Sequence, residues 1–329
     1  MSPLMALVAV LILTLLSLGI ALSGTLTRLL LVVVPYAVFT LFLAGVVYRI
    51  LKWARAPIPF RIPTTCGQEK SLAWIKTSPL ESPPCLWGVI GRMALEVLLF
   101  RSLFRNTRLD MGQNRPVYPS AKWLWFFGLT FHWSLLIIVL RHLRFFIEPI
   151  GPCITALSSL DGFFEIGVPT LYLSDAAMLA GITFLFLRRL IVPQVRYISL
   201  FTDYFSLLLI LGVVTTGLIM RHFFPADLLQ VKNLALGWVT FSPFVPQGVG
   251  ILFTMHLCFV FTLLVFFPMS KLMHAGGVFL SPTRNLANDS RIRRHVNPWN
   301  APVKVHTYEE YEDEFRAQMK TAGIPVEKE

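Results

Sequence analysis

The sequence predicts an all-α, polytopic membrane protein with six transmembrane helices. Hydrophobic residues fill 55% of its 329 positions and charged residues only 14%. Mean hydropathy is +0.65. The apolar residues gather into six runs near the ~20 residues that cross a bilayer. A soluble domain carries roughly a quarter charged residues, so lipid must be the solvent for much of this chain.

The runs are Leu4–Leu26, Leu29–Val47, Trp123–Leu140, Leu171–Leu187, Tyr204–Met220 and Val249–Met269. The first precedes the first basic residue, Arg28. It lacks the basic start of a signal peptide and is long for one, so it reads as a retained helix. The fourth and fifth are at the short limit, which flanking arginines can extend by snorkelling. Segment 1–28 is thus an additional N-terminal helix, 29–280 the main membrane domain with its long loop 52–122, and 281–329 a soluble tail. No internal repeat is visible.

The loop begins with Pro57, Pro59, Pro63, Pro79, Pro83 and Pro84, which favour extended, irregular chain. Its second half, Leu86–Arg108, is apolar with Arg101, Arg105 and Arg108 at helical spacing. This suits a helix lying in the membrane interface or one docking a soluble partner. The connection Glu148–Leu171 carries Glu148, Asp161 and Glu165, and Phe223–Gly248 carries Pro225, Pro243 and Pro246. The tail has a basic run, Arg291–Arg294, then Asn297-Pro298-Trp299-Asn300, then the acidic stretch Tyr308–Glu314. Its aromatic residues Trp299, Tyr308, Tyr311 and Phe315 favour a partner-binding surface over solvated chain.

The net charge of +11 is sorted by side. Of the 29 Lys and Arg residues, 24 lie in Arg49–Lys122, in Arg188–Arg196 and from Lys271 onward. Only Arg28, Arg141, Arg144, Arg221 and Lys232 remain. Six spans place these groups on alternate sides, so the positive-inside rule puts both termini in the cytoplasm. The basicity reports topology and affinity for anionic lipid, not nucleic-acid binding.

Four of the seven histidines then stand out. His132 and His142 lie ten apart on the third span, and His256 and His274 eighteen apart on or just past the sixth. An ionisable side chain within a membrane span points to function. A single one is often just hydrogen-bonded to a carbonyl, but two pairs on two helices are what two six-coordinate haem irons require. Eighteen residues is about five helical turns and a rise of ~27 Å, whereas ten residues is ~2.8 turns, a rise of ~15 Å and a rotation of roughly 80°. Straight helices therefore cannot match the pairs rung for rung. Pro268, between His256 and His274, removes a backbone bond and bends the sixth span. The third span runs outward and the sixth inward. Hence His142 pairs with His256 around an outer haem, and His132 with His274 around an inner one. Two stacked b haems make a membrane cytochrome b that moves electrons between quinone and a soluble partner.

Gly128, one turn before His132, leaves room either for a porphyrin edge or for helix packing. His222, beside Arg221, sits at an outer helix end with an interfacial or quinone-site role open to it, and His295 and His306 fall in the tail. Cys66, Cys85, Cys153 and Cys258 are scattered with no C-x-x-C. The chain thus shows no iron–sulfur motif and no covalent haem attachment. Cys66 and Cys85 face the reducing side and read as free thiols.

The ten- and eighteen-residue spacings on an antiparallel helix pair resemble the respiratory nitrate reductase gamma-subunit family, whose five-helix core binds two b haems with this crossed pairing. The segments Phe131-His132-Trp133-Ser134-Leu135-Leu136, Arg141-His142-Leu143-Arg144-Phe145-Phe146 and Asn297-Pro298-Trp299-Asn300 are similar to the cytochrome b subunits of sulfite-reductase-associated (Dsr) membrane complexes. The resemblance implies a five-helix dihaem core with one added N-terminal helix. It also implies menaquinol oxidation near the outer haem. Electrons would go to a cytoplasmic iron–sulfur subunit resembling heterodisulfide reductase, in dissimilatory sulfur metabolism, with other membrane and periplasmic cytochrome subunits as further partners. The nitrate reductase quinol-site lysine has no obvious equivalent after His142. Arg144 and Glu148 are the candidates for that site, with an interfacial ion pair between them as the alternative. Membrane subunits of nitrate reductases, formate dehydrogenases or heterodisulfide reductases would differ only in their partners. A transporter would need polar groups converging at mid-membrane. Histidines apart, the spans hold almost no charge, with Asp175 and Asp203 near helix ends.

Overall fold

Apolar composition becomes helix along most of the chain. The computed structural model describes residues 2–56, 67–107, 110–112, 115–117, 120–162, 171–247, 250–292, 302 and 305–328. Cys66, Arg108, Glu165, His295, Arg293, Arg294 and the Asn297–Asn300 motif lie outside them. Helix α1 is Ser2–Leu22. The chain breaks at Ser23, whose hydroxyl accepts the Leu26 N–H at 3.4 Å and caps α2, Gly24–Val32. Helix α3, Val34–Ala54, carries Pro35 in its first turn. The second span therefore begins later than Leu29, because residues 24–32 form a separate capped helix.

In the long loop, α4 is Leu86–Leu99 and α5 is Arg101–Arg105, joined through Phe100 at φ 50°. A small antiparallel hairpin follows, β1 Asp110–Gly112 with β2 Arg115–Val117. Apart from it the described elements are helical. Helix α6 is Lys122–His142, continued by a 3-10 turn to Phe145; α7 is Pro152–Asp161, α8 Leu173–Ile191, α9 Pro193–Ile198 and α10 Phe201–His222. Asp227 accepts the N–H groups of Leu229 and Gln230 and so caps α11, Leu228–Val239. Helix α12 is Ile251–Phe266, followed by 3-10 turns at Phe267–Met269 and Lys271–Met273, then α13, His274–Gly277. The tail holds α14, Pro282–Asn285, and α15, Tyr308–Thr321.

Helices α1, α3, α6 with its 3-10 extension, α10 and α12 with the Phe267–Met269 turn are long and apolar enough to cross a membrane. The chain is a multi-pass membrane protein. The sixth expected span is α8. It has the length of a span, but Asp175 near its start and Arg188 and Arg189 near its end shorten its charge-free stretch. Packing makes up for this: α8 lies against both α6 and α10, and Met178 and Ile182 are buried with Phe131 and Ile210.

The bundle runs α6, α8, α10, α12, α3 by successive contacts. Helix α1, the added N-terminal helix, joins this bundle. It lies against α10 and α12, with Ala6 and Val10 buried among Tyr204, Leu208, Leu209 and Phe259. On the other flank, Leu30, Leu31 and Val38 pack on Leu234, Phe253, Leu257 and Phe261.

The break expected at Pro268 is present. Here α12 gives way to 3-10 turns, and Ser270 is extended, at φ −106° and ψ 178°. Helix α3 accommodates the turn with Gly45, where a Cβ would come within 2.9 Å of Pro268 Cβ and Cγ. Helix α4 and the start of the tail form a strap. The Arg92 guanidinium donates to the carbonyls of Glu81, Thr283, Arg284 and Leu286. Glu96 pairs with Arg284, the Asn288 N–H reaches the Pro83 carbonyl at 2.7 Å, and Glu69 accepts from Ser290 N–H and Oγ, each at 2.8 Å. Burial alone would raise the Glu96 carboxyl pKa, but hydrogen bonds from Ser102 and Arg284 outweigh it and hold the group below its ordinary value.

Candidate functional site

The histidines sit on α6 and on α12 with its continuation. These two elements have no extensive direct contact among the described residues; α8 and α10 hold them apart. His132 and His274 meet across that separation, with ring centroids 5.9 Å apart and planes at 78°. The redirected chain after Pro268 brings His274 there. Asp203, in the first turn of α10, accepts from the Leu200 N–H at 3.0 Å and from Lys271 Nζ at 2.9 Å. The Lys271 carbonyl lies 2.7 Å from His274 Nδ1. An N-terminal carboxylate thus anchors the segment that carries this imidazole.

His132 Nδ1 lies 2.7 Å from the Gly128 carbonyl, and His142 Nδ1 2.7 Å from that of Ile138. A carbonyl can only accept, so Nδ1 carries the hydrogen and Nε2 keeps its lone pair. Phe100, at the α4–α5 corner, packs edge-on against the His132 ring at 4.9 Å. At Gly128 a Cβ would meet nothing closer than Leu103 Cδ2 at 3.9 Å. This glycine therefore does not tighten a helix contact.

His256 is oriented differently. Its Nδ1 lies 2.9 Å from Thr216 Oγ1, and that hydroxyl donates to the Gly212 carbonyl at 2.8 Å. The threonine oxygen is therefore the acceptor for His256 Nδ1–H. One residue on, Gly217 clears the ring: a Cβ there would sit 3.5 Å from His256 Cε1. His142 and His256 lie within electrostatic range of each other, while His132 and His274 make the ring contact given above.

The four imidazoles fit a pair of metalloporphyrins by the chemistry of their donors. Each Nδ1 has a hydrogen-bond partner in the protein, which is how ligating histidines are usually held. Two imidazoles each about 2 Å from a shared metal place their ring centres about 6 Å apart, in keeping with His132 and His274. Among the described residues no cluster of three or more His, Cys, Asp or Glu could hold a metal ion.

Near His142 lies a charged group that sequence reasoning did not assemble. Arg141 is buried and pairs with Asp161 from α7 and Asp175 from α8. Asp161 also accepts from Ser174 N–H at 2.8 Å and Ser174 Oγ at 2.6 Å. Tyr172 is stacked between Arg141 and Arg221, 3.7 and 4.0 Å from ring centroid to guanidinium carbon. A buried charge needs such partners, since stripping one away costs about 3–5 kcal/mol. An Asp inside an apolar run was the available signal, but which arginine it would meet is a tertiary fact.

The two residues expected at a quinol site do not pair with each other. Glu148 forms its ion pair with Lys232 of α11, and the Arg144 guanidinium lies 4.9 Å from the Phe145 ring centroid. His222 ends α10 with Nε2 buried and unpartnered among the described residues, and His306 faces Glu314 in the tail.

Residues 84–295 match the family described as nitrate reductase gamma subunit. The chain is 44% identical over 276 residues, 82% of each chain, to the Hdr-like menaquinol oxidoreductase cytochrome b-like subunit of Archaeoglobus fulgidus. It is 40% identical over 275 residues, 81% of each chain, to the protein of the same name from Archaeoglobus profundus.

Proposed function

The chain belongs to the nitrate reductase gamma subunit family as a membrane cytochrome b of a quinol oxidoreductase, and from that premise we propose that it is a dihaem subunit oxidising menaquinol for a cytoplasmic iron–sulfur partner. The observation that carries this reading is the meeting of His132 and His274 at 5.9 Å with their Nδ1 atoms already bonded to backbone carbonyls. His132 and His274 would hold one b haem, toward the cytoplasm, and His142 and His256 the other, toward the outside. A bound b haem accepts and releases one electron at a time. The protein's own part is to fix each imidazole tautomer, set the spacing of the pairs and shield them with Phe100 and the α10 face. Arg144 and Glu148, at the His142 end, are proposed to frame the approach of the quinol headgroup.

The relatives' name describes an Hdr-like menaquinol oxidoreductase. We extend it to this chain as menaquinol for the donor and a heterodisulfide-reductase-like iron–sulfur subunit for the acceptor, in dissimilatory sulfur metabolism, with further cytochrome subunits in the assembly. The basic residues sorted to one side support a six-span topology with both termini in the cytoplasm. Pyridine haemochrome analysis of the purified protein should give two non-covalent b haems per chain. A value near zero in cells supplied with haem would overturn the reading. A reporter fused near Asp161 should report from outside the cell, and a cytoplasmic signal there would reverse the two haem positions.

A further inference from the structure

Helix α4 has the reverse polarity of a helix on a soluble surface. Its polar residues turn inward: Arg92 is buried on the 283–286 carbonyls and Glu96 meets Arg284. Its apolar residues turn outward. Leu86, Ile90, Ala94 and Leu98 are exposed; they recur every fourth residue and so form one stripe. Trp87 stands beside them, 80% exposed. Fourteen residues are too few to span a bilayer and suit a re-entrant or interfacial segment.

The far end of α4 is fixed against a span. Trp125 Nε1 donates to the Leu99 carbonyl at 2.7 Å, and Trp133 Nε1 to the Leu98 carbonyl at 3.0 Å. These tryptophans lie ~4.5 and ~16 Å along α6 from Lys122, so the corner at Phe100 sits roughly 10 Å inside the end of that span. The chain then returns. Phe100 packs on the His132 ring, Leu103 is the side chain nearest Gly128, and Phe104 meets the Trp125 ring at 4.8 Å with Lys122 Nζ 5.8 Å from its own ring centroid. Helix α5 thus retraces α6 from the level of His132 to that of Lys122.

We propose that α4 and α5 form a re-entrant hairpin, inserted in the leaflet where α3 ends and α6 begins, and that phospholipid acyl chains cover the stripe of Leu86, Trp87, Ile90, Ala94 and Leu98.

In hydrocarbon the last carbonyls of a helix have no water to bond and need donors from the protein. Here the Phe100 N–H serves the Glu96 carbonyl at 3.1 Å, and the two indoles serve Leu98 and Leu99. A corner standing in water would not need them. The charges beside the corner are paired as well, since Arg101 and Arg105 both meet Glu81. The stripe also continues a surface that lipid covers, because Trp133, 41% exposed, lies on a span. A soluble subunit could cover an apolar stripe, but it would not reach a corner set ~10 Å inside the end of a span.

The test uses the full chain, without partner subunits, in vesicles of phosphatidylcholine and phosphatidylglycerol. Cys66→Ser, Cys85→Ser and Cys153→Ser leave only Cys258, which is buried. A nitroxide is then attached at Ile90→Cys, Ala94→Cys or Leu98→Cys. Leu136→Cys, exposed on α6, is the lipid reference, and Ala317→Cys, exposed on α15, the water reference. Collisions with oxygen, which partitions into hydrocarbon, are compared with collisions with a water-soluble nickel chelate. At the three α4 sites oxygen should dominate as at Leu136, with nickel collisions about tenfold below those at Ala317. The preference for oxygen should grow from Ile90 to Leu98. Nickel collisions at the Ala317 level would overturn the proposal and leave the stripe to a soluble partner. Few collisions with either reagent would overturn it in favour of a second copy of this chain. Trp125→Phe together with Trp133→Phe removes both indole donors and should raise nickel collisions at Leu98 about threefold or more, with those at Leu136 unchanged; no rise would refute the anchoring of the corner. Should that double variant fail to insert, the three α4 probes in the chain with both indoles decide.

Discussion

Thr216→Val separates the two histidine pairs with a change of one atom. Valine keeps the β-branched shape and χ1 preference of threonine, so the buried α10 face stays packed. What is lost is the oxygen 2.9 Å from His256 Nδ1. A hydrogen bond of this kind is worth about 1 kcal/mol net. It makes an axial imidazole more electron-rich, which favours the oxidised metal. If all of that energy distinguished the two oxidation states, the midpoint potential would rise by about 40 mV, since 59 mV corresponds to a factor of ten for one electron. The Val213 carbonyl also approaches the His256 ring and takes over part of the bond, so the expected rise is nearer ~20 mV. A potentiometric titration of the α-band should show one component moved upward and the other unmoved. The moved component should survive in His132→Ala and vanish in His142→Ala. Equal movement of both components, or movement of the one lost in His132→Ala, would refute the assignment of Thr216 to a single pair.

Three further outcomes follow from packing and charge. Gly45→Val drives a side chain into Pro268, where even a Cβ would lie at 2.9 Å. At about 1–3 kcal/mol of overpacking, it should displace His274 and halve the haem stoichiometry while the His142–His256 haem stays. Truncation after Ile292 keeps the strap formed by Arg92, Glu96 and Glu69, so it should leave both haems bound yet weaken co-purification with an iron–sulfur subunit; unchanged co-purification would return the tail to solvated chain. In the tail, the Glu327 and Lys328 N–H groups and Arg316 hold the Glu312 carboxyl below its ordinary value. That stability is present above the free glutamate value of about 4.3 and is lost as pH falls through the lower folded value. Hydrogen exchange over 308–328, corrected for intrinsic rates, should show protection at neutral pH that disappears in acid.

Much of this was legible in the sequence because it is local. Apolar runs fix the helices, the ten-residue spacing places His132 and His142 on one of them, and Pro268 announces the break that lets His274 turn toward His132. The strap was hidden, since Arg92 meets the 283–286 carbonyls from nearly two hundred residues away. So was the pairing of Glu148 with Lys232 rather than with Arg144. Periodicity says which face of a helix is apolar but not which neighbour will cover it. The weak sixth run shows the same limit. Composition alone places α8 at the margin of a span, and only its position between α6 and α10 explains how it carries Asp175 inside a bundle.

The same distinction divides the four histidines. His132, His142 and His274 are each oriented by a carbonyl three or four residues earlier in their own segment. Their tautomers are therefore set as soon as the local turn forms. His256 has no such bond among those described and depends on Thr216 of α10, so it is set only when α10 and α12 have packed. Helix α10 also anchors the other end of the array, because Asp203 in its first turn holds Lys271 and hence the His274 segment. One helix that carries none of the four histidines thus positions one histidine of each proposed pair. Substitutions on α10 should for that reason disturb cofactor binding as strongly as many on α6, although α10 carries none of the four proposed ligands.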